Sequence, residues 1–312
     1  MDYPKSVPSV GLVGGKFVDE DPLSGSPGSL IPAQWGNGVT EEVLNVITAA
    51  GMVPSETDNT QLRAAIATLA GCTGYMKNAS LVVSVASASA TFTASEVIVS
   101  SMLGGKLYRL SNFNQAVNLA TVGAGGMDTG TAPASGFVAL YAIYNPTSGA
   151  RSILAVNATA AVQPLVYGGA NMPAGFAASA LISVLPTNIS SQFAICQQVD
   201  NHVDYTAATA LSTSAISATP TTFTTTVFPK NAKVVGGSST VNSSAISAVS
   251  LSLYASDVNA GQKINNGTLQ ATGQQTVPFE RLHIRTPQTI RYANANGAGT
   301  PAFVISISSY DF

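Results

Sequence analysis

A β-rich fold is indicated by the stretch Gly136-Phe-Val-Ala-Leu-Tyr-Ala-Ile-Tyr-Asn145 and by the later stretch Ala302-Phe-Val-Ile-Ser-Ile-Ser-Ser-Tyr310. The first is a run of apolar, β-branched and aromatic residues, and the second alternates apolar with small polar residues. Clusters of Gly, Asn and Pro bound such runs, as at Asn145-Pro146. The runs recur roughly every 10–15 residues, which is typical of a β-sandwich.

The β signals begin near Met76 and continue through the rest of the sequence. Short β-branched or aromatic runs are typical of strands when turn residues separate them. We predict strands at 79–85, 90–94, 96–100, 106–110, 136–145, 180–185, 192–197, 223–228, 232–237, 248–255, 279–285, 288–293 and 302–310. Because terminal strands fray unless they are docked, we expect the last of them to be buried in a sheet.

Residues 1–38 are rich in Pro and Gly and keep neither a helical nor a strand period. This composition predicts an extended, non-globular segment that is ordered by packing on a partner. A flexible linker would not need apolar side chains, yet the segment carries several. These candidate anchors are Val10, Leu12, Val13, Phe17, Leu30 and Trp35. For Trp35, packing onto the protein's own helices is an equal alternative.

Two short helices are predicted next. Apolar residues recur at helical spacing from Val39 to Ala50, Glu41 and Glu42 are placed in the first turn, and Gly51 follows as a C-cap candidate. The second helix is capped by Asp58 or Asn59, closes at Gly71 and carries the apolar residues Leu62, Ile66 and Leu69. Helices of this length are not stable alone, so each must pack on the other or on a partner.

The chain carries little charge. Of its 312 residues 9% are charged, and between Leu110 and Asn201 the only charged residues are Asp128, Arg151 and Asp200. A surface so poor in charge favours faces that are covered, most simply by copies of the same chain. Residues 1–75 hold eight acidic and three basic side chains, whereas 230–312 hold three acidic and six basic ones. This excess is too small to indicate nucleic-acid binding.

The sequence contains no apolar segment typical of a secretory signal or of a membrane span. We therefore expect no membrane insertion and no Sec-dependent export. The two cysteines, Cys72 and Cys196, do not form a disulfide framework and are predicted to be free, buried thiols in a chain that folds in a reducing cytoplasm.

Three parts of the chain resemble the tail fibres of bacteriophages and prophages. The first is the opening Met1-Asp-Tyr-Pro-Lys-Ser-Val-Pro-Ser-Val-Gly-Leu-Val, followed by Pro27-Gly-Ser-Leu-Ile-Pro-Ala-Gln-Trp-Gly-Asn, Val39-Thr-Glu-Glu-Val-Leu-Asn-Val-Ile and Asp58-Asn-Thr-Gln-Leu. The second is a middle module with Gly123-Ala-Gly-Gly-Met-Asp-Thr-Gly-Thr-Ala-Pro, the stretch from Gly136 and Tyr167-Gly-Gly-Ala-Asn-Met-Pro-Ala-Gly. The third is the closing Gly299-Thr-Pro-Ala-Phe-Val-Ile-Ser-Ile-Ser-Ser-Tyr-Asp-Phe, an alternating strand that is weak on its own.

The resemblance implies a homotrimeric fibre whose N-terminus is fixed to the tail or baseplate, with no catalysis and no cofactor. The predicted fold is mainly β, with an extended N-terminal segment and two short helices, then two β-sandwich-like domains. We place the attachment segment at residues 1–75, a middle β domain at 76–205 and a C-terminal tip domain at 206–312. The protein is expected on the virion tail, outside the cell.

No enzyme is indicated. Acidic residues are too sparse beyond residue 75 for a dedicated pair of glycosidase carboxylates. No nucleophile elbow or phosphate loop is present. Asp200 and Asp204 flank His202, a combination that also occurs in metal and acid–base sites, but we interpret this stretch as a polar linker between domains.

The best binding candidate is the stretch Glu280-Arg-Leu-His-Ile-Arg285. On a strand, Arg281, His283 and Arg285 share one face, while Leu282 and Ile284 share the other. Guanidinium groups suit phosphate and carboxylate, and aromatic faces suit sugar rings. The six predicted receptor contacts are Arg281, His283, Arg285, Arg291, Tyr292 and Tyr254. A solvated strand face or a row of salt bridges between subunits is the alternative for the basic residues.

The function expected from these features is adhesion to a bacterial surface glycan such as lipopolysaccharide. A structural baseplate or adaptor protein that holds another tail protein is the second hypothesis. A polysaccharide-degrading tailspike ranks last, because acids are few and no long repeat indicates a β-helix.

Overall fold

The computed structural model describes residues 3–23, 25, 27–255 and 258–312. It contains two compact units, residues 1–71 and residues 72–312. The first unit holds both helices, α1 (Ala33–Ala49) and α2 (Gln61–Leu69).

The second unit holds all the named strands, so the protein is mainly β, as the sequence predicted. The strands are β1 (Met76–Lys77), β2 (Ser80–Val83), β3 (Ser89–Ser100), β4 (Leu107–Asn118), β5 (Gly126–Met127), β6 (Phe137–Tyr144), β7 (Arg151–Asn157), β8 (Ala178–Pro186), β9 (Cys196–Val199), β10 (His202–Thr213), β11 (Thr221–Thr224), β12 (Val234–Ser243), β13 (Ser247–Tyr254), β14 (Lys263–Leu269), β15 (Gln274–His283), β16 (Thr289–Asn296) and β17 (Pro301–Asp311).

The N-terminal segment folds back on itself, which corrects the prediction of a simply extended chain. Val13 and Lys16 exchange two backbone hydrogen bonds of 3.0 and 3.2 Å across the turn Gly14-Gly15. Both glycines have positive φ angles of 60° and 79°, as the tightest hairpin turns require. Further along, the Leu30 amide donates to the Val10 carbonyl at 2.9 Å, so the segment closes on its own beginning.

Helix α1 begins at Ala33, earlier than the predicted Val39. Trp35 therefore lies in its first turn, where its ring meets Phe17 edge-on, with centroids 5.1 Å apart. Glu41 lies in the middle of the helix and not in its first turn. The predicted C-cap is confirmed, since Gly51 has a φ of 72° and its amide donates to the Thr48 carbonyl at 2.8 Å.

The two helices pack on each other through a small cluster of Ile47, Ala50 and Ala65. The apolar face predicted for the second helix, Leu62, Ile66 and Leu69, is instead exposed, at 38%, 54% and 48%. Small Ala65 makes the close contact, and the larger side chains of α2 are left outside it.

The strands of the second unit form two sheets. The large sheet has thirteen strands in the order β15-β12-β17-β10-β9-β2-β3-β8-β6-β7-β5, with β1 and β4 paired to β3. The small sheet has the order β11-β16-β13-β14. The last strand, β17, lies between β10 and β12, so the prediction of a buried terminal strand is confirmed.

Strands β6 and β8 are buried along almost their whole length, which explains the apolar run from residue 137. One face, with Val138 and Leu140, joins the main core. The other face, with Tyr141, packs against Tyr167, and the Tyr141 hydroxyl donates to the Pro164 carbonyl at 2.7 Å. The segment between β7 and β8 thus covers the second face.

Several strands differ from prediction. The runs at 90–94 and 96–100 form one strand, β3, and the strands β7, β10 and β14 were not predicted. The predicted domain boundary at residues 205 and 206 lies inside β10, which pairs with β9 on one side and β17 on the other. A division of the β region into two domains, like trimeric assembly, stays a prediction.

The C-terminal strands form two facing layers. Strands β12 and β17 of the large sheet contribute Val241, Phe303 and Ile305 to the core, and the small sheet contributes Leu251 and Ile290. These side chains are fully buried or nearly so. Most of the side chains that point away from this core are small or polar, although Ile264 of β14 is 52% exposed.

Of the two free cysteines, Cys196 is buried as predicted, whereas Cys72 is exposed. Burial raises the pKa of the Cys196 thiol to about 12. No helix in the described part of the chain is both long and apolar enough to cross a membrane.

Candidate functional site

A cleft of about 480 Å³ crosses four neighbouring strands of the large sheet, β10, β17, β12 and β15. Two rows of paired residues run through it. In the first row His202 lies opposite Asp311, and Asp311 lies opposite Val234. In the second row Asp204 lies opposite Ser309. Ser309 in turn lies opposite Gly236, at the centre of the cleft.

Irregular pairing opens this cleft. The register shifts between Asp204 and Ala208 on β10, and between Gly236 and Gly237 on β12. Bulges of this kind bend a strand and increase its twist, so consecutive bulges depress the surface between them. The two glycines form the floor. A Cβ on Gly236 would lie 2.6 Å from the Ser309 hydroxyl, and one on Gly237 would lie 2.0 Å from the Ser306 carbonyl oxygen.

Arg281 occupies a backbone conformation that favours glycine. Its φ is 53°, and it belongs to the bulge at which β15 loses register with Gly236. Glycine is the usual residue at such a position, and a side chain there costs about 1–2 kcal/mol. Strained residues of this kind cluster at functional sites. The exposed guanidinium stands at the rim of the cleft, and this placement makes Arg281 the strongest site candidate.

His202 lies between two carboxylates. Its Nδ1 is 2.5 Å from Asp311 Oδ1, and its Nε2 is 3.1 Å from Asp204 Oδ1. A histidine donates from both ring nitrogens only when it is the imidazolium cation. Burial lowers the pKa of His202, but the hydrogen bonds to Asp311 and Asp204 and the two negative charges outweigh it, and the pKa is raised overall. At pH values below this raised pKa, His202 is a cation between two carboxylates.

The unfolding free energy is expected to fall as pH rises through the raised pKa of His202. The folded state holds the imidazolium proton more tightly than the unfolded state, so the contribution is complete below about pH 6.5 and is lost above the folded pKa. Because the His202 side chain is 47% exposed, the effect is at most about 1 kcal/mol. Urea unfolding from about pH 6 to about pH 9 measures it.

Two variants check this assignment. In His202→Gln the pH dependence over that range should flatten, and in Asp311→Asn it should shrink, since the nearer carboxylate is lost. A slope that is the same in His202→Gln and in the unchanged protein would contradict the assignment.

The structure separates the six predicted receptor contacts into three groups. Arg281 lines the cleft, and His283 lies beside it, opposite Val234. Both are exposed while Leu282 is buried, so the predicted alternation is confirmed. Arg285 is exposed just beyond the end of β15.

Two other predicted contacts are neighbours on the small sheet, where Tyr254 lies opposite Arg291. The Arg291 Nε donates to Asn259 Oδ1 at 2.7 Å, and Gln262 Nε2 donates to the Tyr254 hydroxyl at 3.1 Å. Tyr292 points the other way. It is 8% exposed and packs edge-on against Phe223, so it is a core residue and is corrected as a receptor contact.

The predicted attachment residues are also divided. Val13 and Leu30 are exposed, at 66% and 68%, whereas Val10 is buried. The half-buried Phe17 and Trp35 pack against each other within the first unit, and Leu12 is half-buried. Trp35 is itself part of α1 and packs on Phe17 of the N-terminal segment, so the alternative of packing onto the protein's own helices is not what the structure has.

Sequence reasoning missed His202, Asp204 and Asp311 as site residues. The stretch around His202 is not a linker, because it begins strand β10. The alternation of His202 and Asp204 around buried Val203 was the available signal for a strand face. Asp311 could not be linked to them, because it lies more than a hundred residues further along the sequence. In the described part of the chain, no group of three or more His, Cys, Asp or Glu side chains is suited to hold a metal ion.

Comparison of the sequence with protein-family models and with curated proteins gives no match.

Proposed function

We propose that the chain is a subunit of a trimeric phage tail fibre that attaches to the tail through its N-terminal unit and binds a bacterial surface glycan through its C-terminal strands. The observation that carries this proposal is the polar cleft floored by Gly236 and Gly237 and rimmed by Asp204, Arg281 and Asp311. The resemblance of the N-terminal and middle motifs to tail fibres supports the same function.

The chemistry of the cleft suits a polyhydroxylated ligand. A hydroxyl group both donates and accepts hydrogen bonds. Asp204, Asp311 and Glu280 offer acceptors, and Arg281 offers a planar set of donors. The centre of an interface with another protein is depleted of charged residues, whereas this cleft carries Glu280 in addition to the three charged residues of its rim. The polar rim therefore favours the adhesin over the adaptor.

The N-terminal unit exposes several large apolar side chains. Val53 is 85% exposed and Ile31 is 66% exposed, in addition to Val13, Leu30 and Ile66. Apolar side chains of this kind mark a surface that binds another protein where they form one contiguous patch. They support attachment of this unit to a tail partner.

The outer surface of β2 and β9 supports burial by copies of the chain. Exposed Val82 lies opposite Gln197, and exposed Val199 lies opposite Ser80, so both pairs are uncharged. Uncharged strand surfaces with exposed valines associate readily in water. A trimer in which the copies bury these surfaces against each other would also present three identical glycan sites. Several sites on one particle strengthen binding to a repetitive cell surface.

The purified full-length chain is expected to adsorb to some strains in a panel of bacteria and to protect those strains from the corresponding phage. Mild periodate treatment of the cells, which cleaves the vicinal diols of sugars, should abolish adsorption, whereas protease treatment of the cells should not. Adsorption that resists periodate but not protease would overturn the glycan assignment. Absence of adsorption, together with co-purification of another tail protein, would favour the adaptor.

A further inference from the structure

A second cavity adjoins the cleft. It has a volume of about 470 Å³ and is lined by Gln262, Lys263 and Ile264 at the start of β14 and by Ser239 on β12. The same three residues of β15, Pro278 to Glu280, line both cavities. The two cavities therefore meet across the edge of the large sheet, with strand β15 between them.

The combined length exceeds what a single sugar ring occupies. The cleft alone crosses four strands, which at the usual spacing is roughly 14 Å from β10 to β15. The second cavity continues beyond β15 to β14, which packs beside it. Asn265 of β14 holds this edge, since its Nδ2 donates to the Ser239 carbonyl at 2.8 Å.

The path carries charges of both signs. Asp204, Glu280 and Asp311 are negative. Arg281 and Lys263 are positive, and His202 adds a third positive charge when it is protonated. Among the described residues, Glu280, Arg281 and Lys263 are in no ion pair, so their hydrogen-bonding groups are available to a ligand. Because carboxylates lie on both sides of the cleft, on β10 and β17 and again on β15, a polyanion would meet repulsion at each of them.

Pro278 lies where the two cavities meet, and its ring is exposed. A proline on an edge strand has no amide hydrogen to donate, so it discourages pairing with a strand of another protein. Its apolar ring instead offers a surface for the C–H face of a sugar. This position favours a carbohydrate chain over a peptide strand as the occupant.

We propose that the two cavities form one groove that binds several consecutive rings of an electrically neutral polysaccharide. This inference rests on the proposed glycan-binding function and goes beyond it by naming the ligand as an internal segment of a neutral polymer. A single anionic headgroup, the ligand that the basic residues alone would suggest, does not match the charge balance of the groove.

The test uses the full-length chain and an array of purified bacterial polysaccharides, half of them neutral and half containing uronic acid or phosphate. Fragments of one to eight rings from the best neutral binder are then titrated by calorimetry. We expect neutral polysaccharides to bind preferentially, with little salt dependence, and the affinity to rise at least tenfold between one ring and four.

A variant in the second cavity tests whether that end of the groove contributes to binding separately from the cleft. Lys263→Ala should weaken the binding of long fragments about tenfold while leaving fragments of one or two rings unaffected. Lys77→Ala, which removes an exposed lysine outside both cavities, is the matched control and should change neither.

Three results would overturn the inference while leaving glycan binding intact. They are full affinity with a single ring, preference for the anionic polysaccharides, and an equal effect of Lys263→Ala at every fragment length. If no polysaccharide in the array binds, the proposed function itself fails, and the groove assignment fails with it.

Discussion

Replacing Arg281 with glycine is expected to weaken the proposed glycan binding about tenfold to a hundredfold without loss of stability. A hydrogen bond from a charged donor contributes about 1.5–3 kcal/mol, and 1.4 kcal/mol is a factor of ten in affinity. The backbone at residue 281 has a φ of 53°, a left-handed conformation in which a Cβ atom causes steric strain. Removing the side chain relieves this strain, which is worth about 1–2 kcal/mol. The added freedom of glycine in the unfolded chain costs about 0.5–1 kcal/mol, and stability should be equal or slightly higher.

Thr272→Gly is the matched control. Thr272 also has a positive φ, of 59°, and it lies in the exposed turn between β14 and β15, outside the cleft. This variant should gain stability by the same mechanism and bind glycan as before. Binding is measured by calorimetry against the polysaccharide that scores best in the array, and stability by urea unfolding. Unchanged binding in Arg281→Gly would remove Arg281 from the site.

Tyr310→Ala is expected to lower the free energy of unfolding by about 3–5 kcal/mol, as for other fully buried aromatic residues. Tyr310 is 1% exposed, and its ring contacts Phe137 and Tyr205. Its hydroxyl donates to the carbonyl of Val184, in strand β8. One side chain of the last strand thus joins the C-terminal strands to the middle of the large sheet.

The variant Tyr310→Phe distinguishes the contribution of the ring to stability from that of the hydroxyl group. It should cost about 0.5–1.5 kcal/mol, because only the hydrogen bond to Val184 is lost. The half-exposed Tyr75 provides the control, and Tyr75→Ala should stay within about 0.5 kcal/mol. Urea midpoints are compared at one protein concentration, since association alters the measured stability. If Tyr310→Ala lowered the free energy of unfolding by less than about 1 kcal/mol, Tyr310 would not couple the C-terminal strands to the middle of the large sheet.

Local sequence patterns predicted the strands well where burial follows a simple period. The alternation of Phe303, Ile305 and Ile307 is reproduced as buried positions of β17. The first helix was placed too late because Gly36 and Gly38 weaken its helical pattern. Its first turn is stabilised by the contact of Trp35 with Phe17, which is a tertiary interaction that no local pattern reveals.

The candidate site was only half predictable. Arg281 and His283 stood out because charged residues alternate with apolar ones on a strand. The cleft itself arises from bulges at several neighbouring strands, and a bulge depends on how two strands pair, not on either strand alone. For the same reason the pairing of His202 with Asp311 required the topology to be known.

The central position of β17 has a consequence for synthesis of the protein. Strands β10 and β12 both pair with β17, yet they leave the ribosome well before residues 301–311 do. Until then the nascent chain presents two open strand edges that can join those of neighbouring chains on the same messenger RNA. Completion of the sheet by such distant residues is also slow, on the order of milliseconds to seconds. Cells that overproduce this protein should therefore accumulate insoluble material chiefly from chains stalled before residue 301.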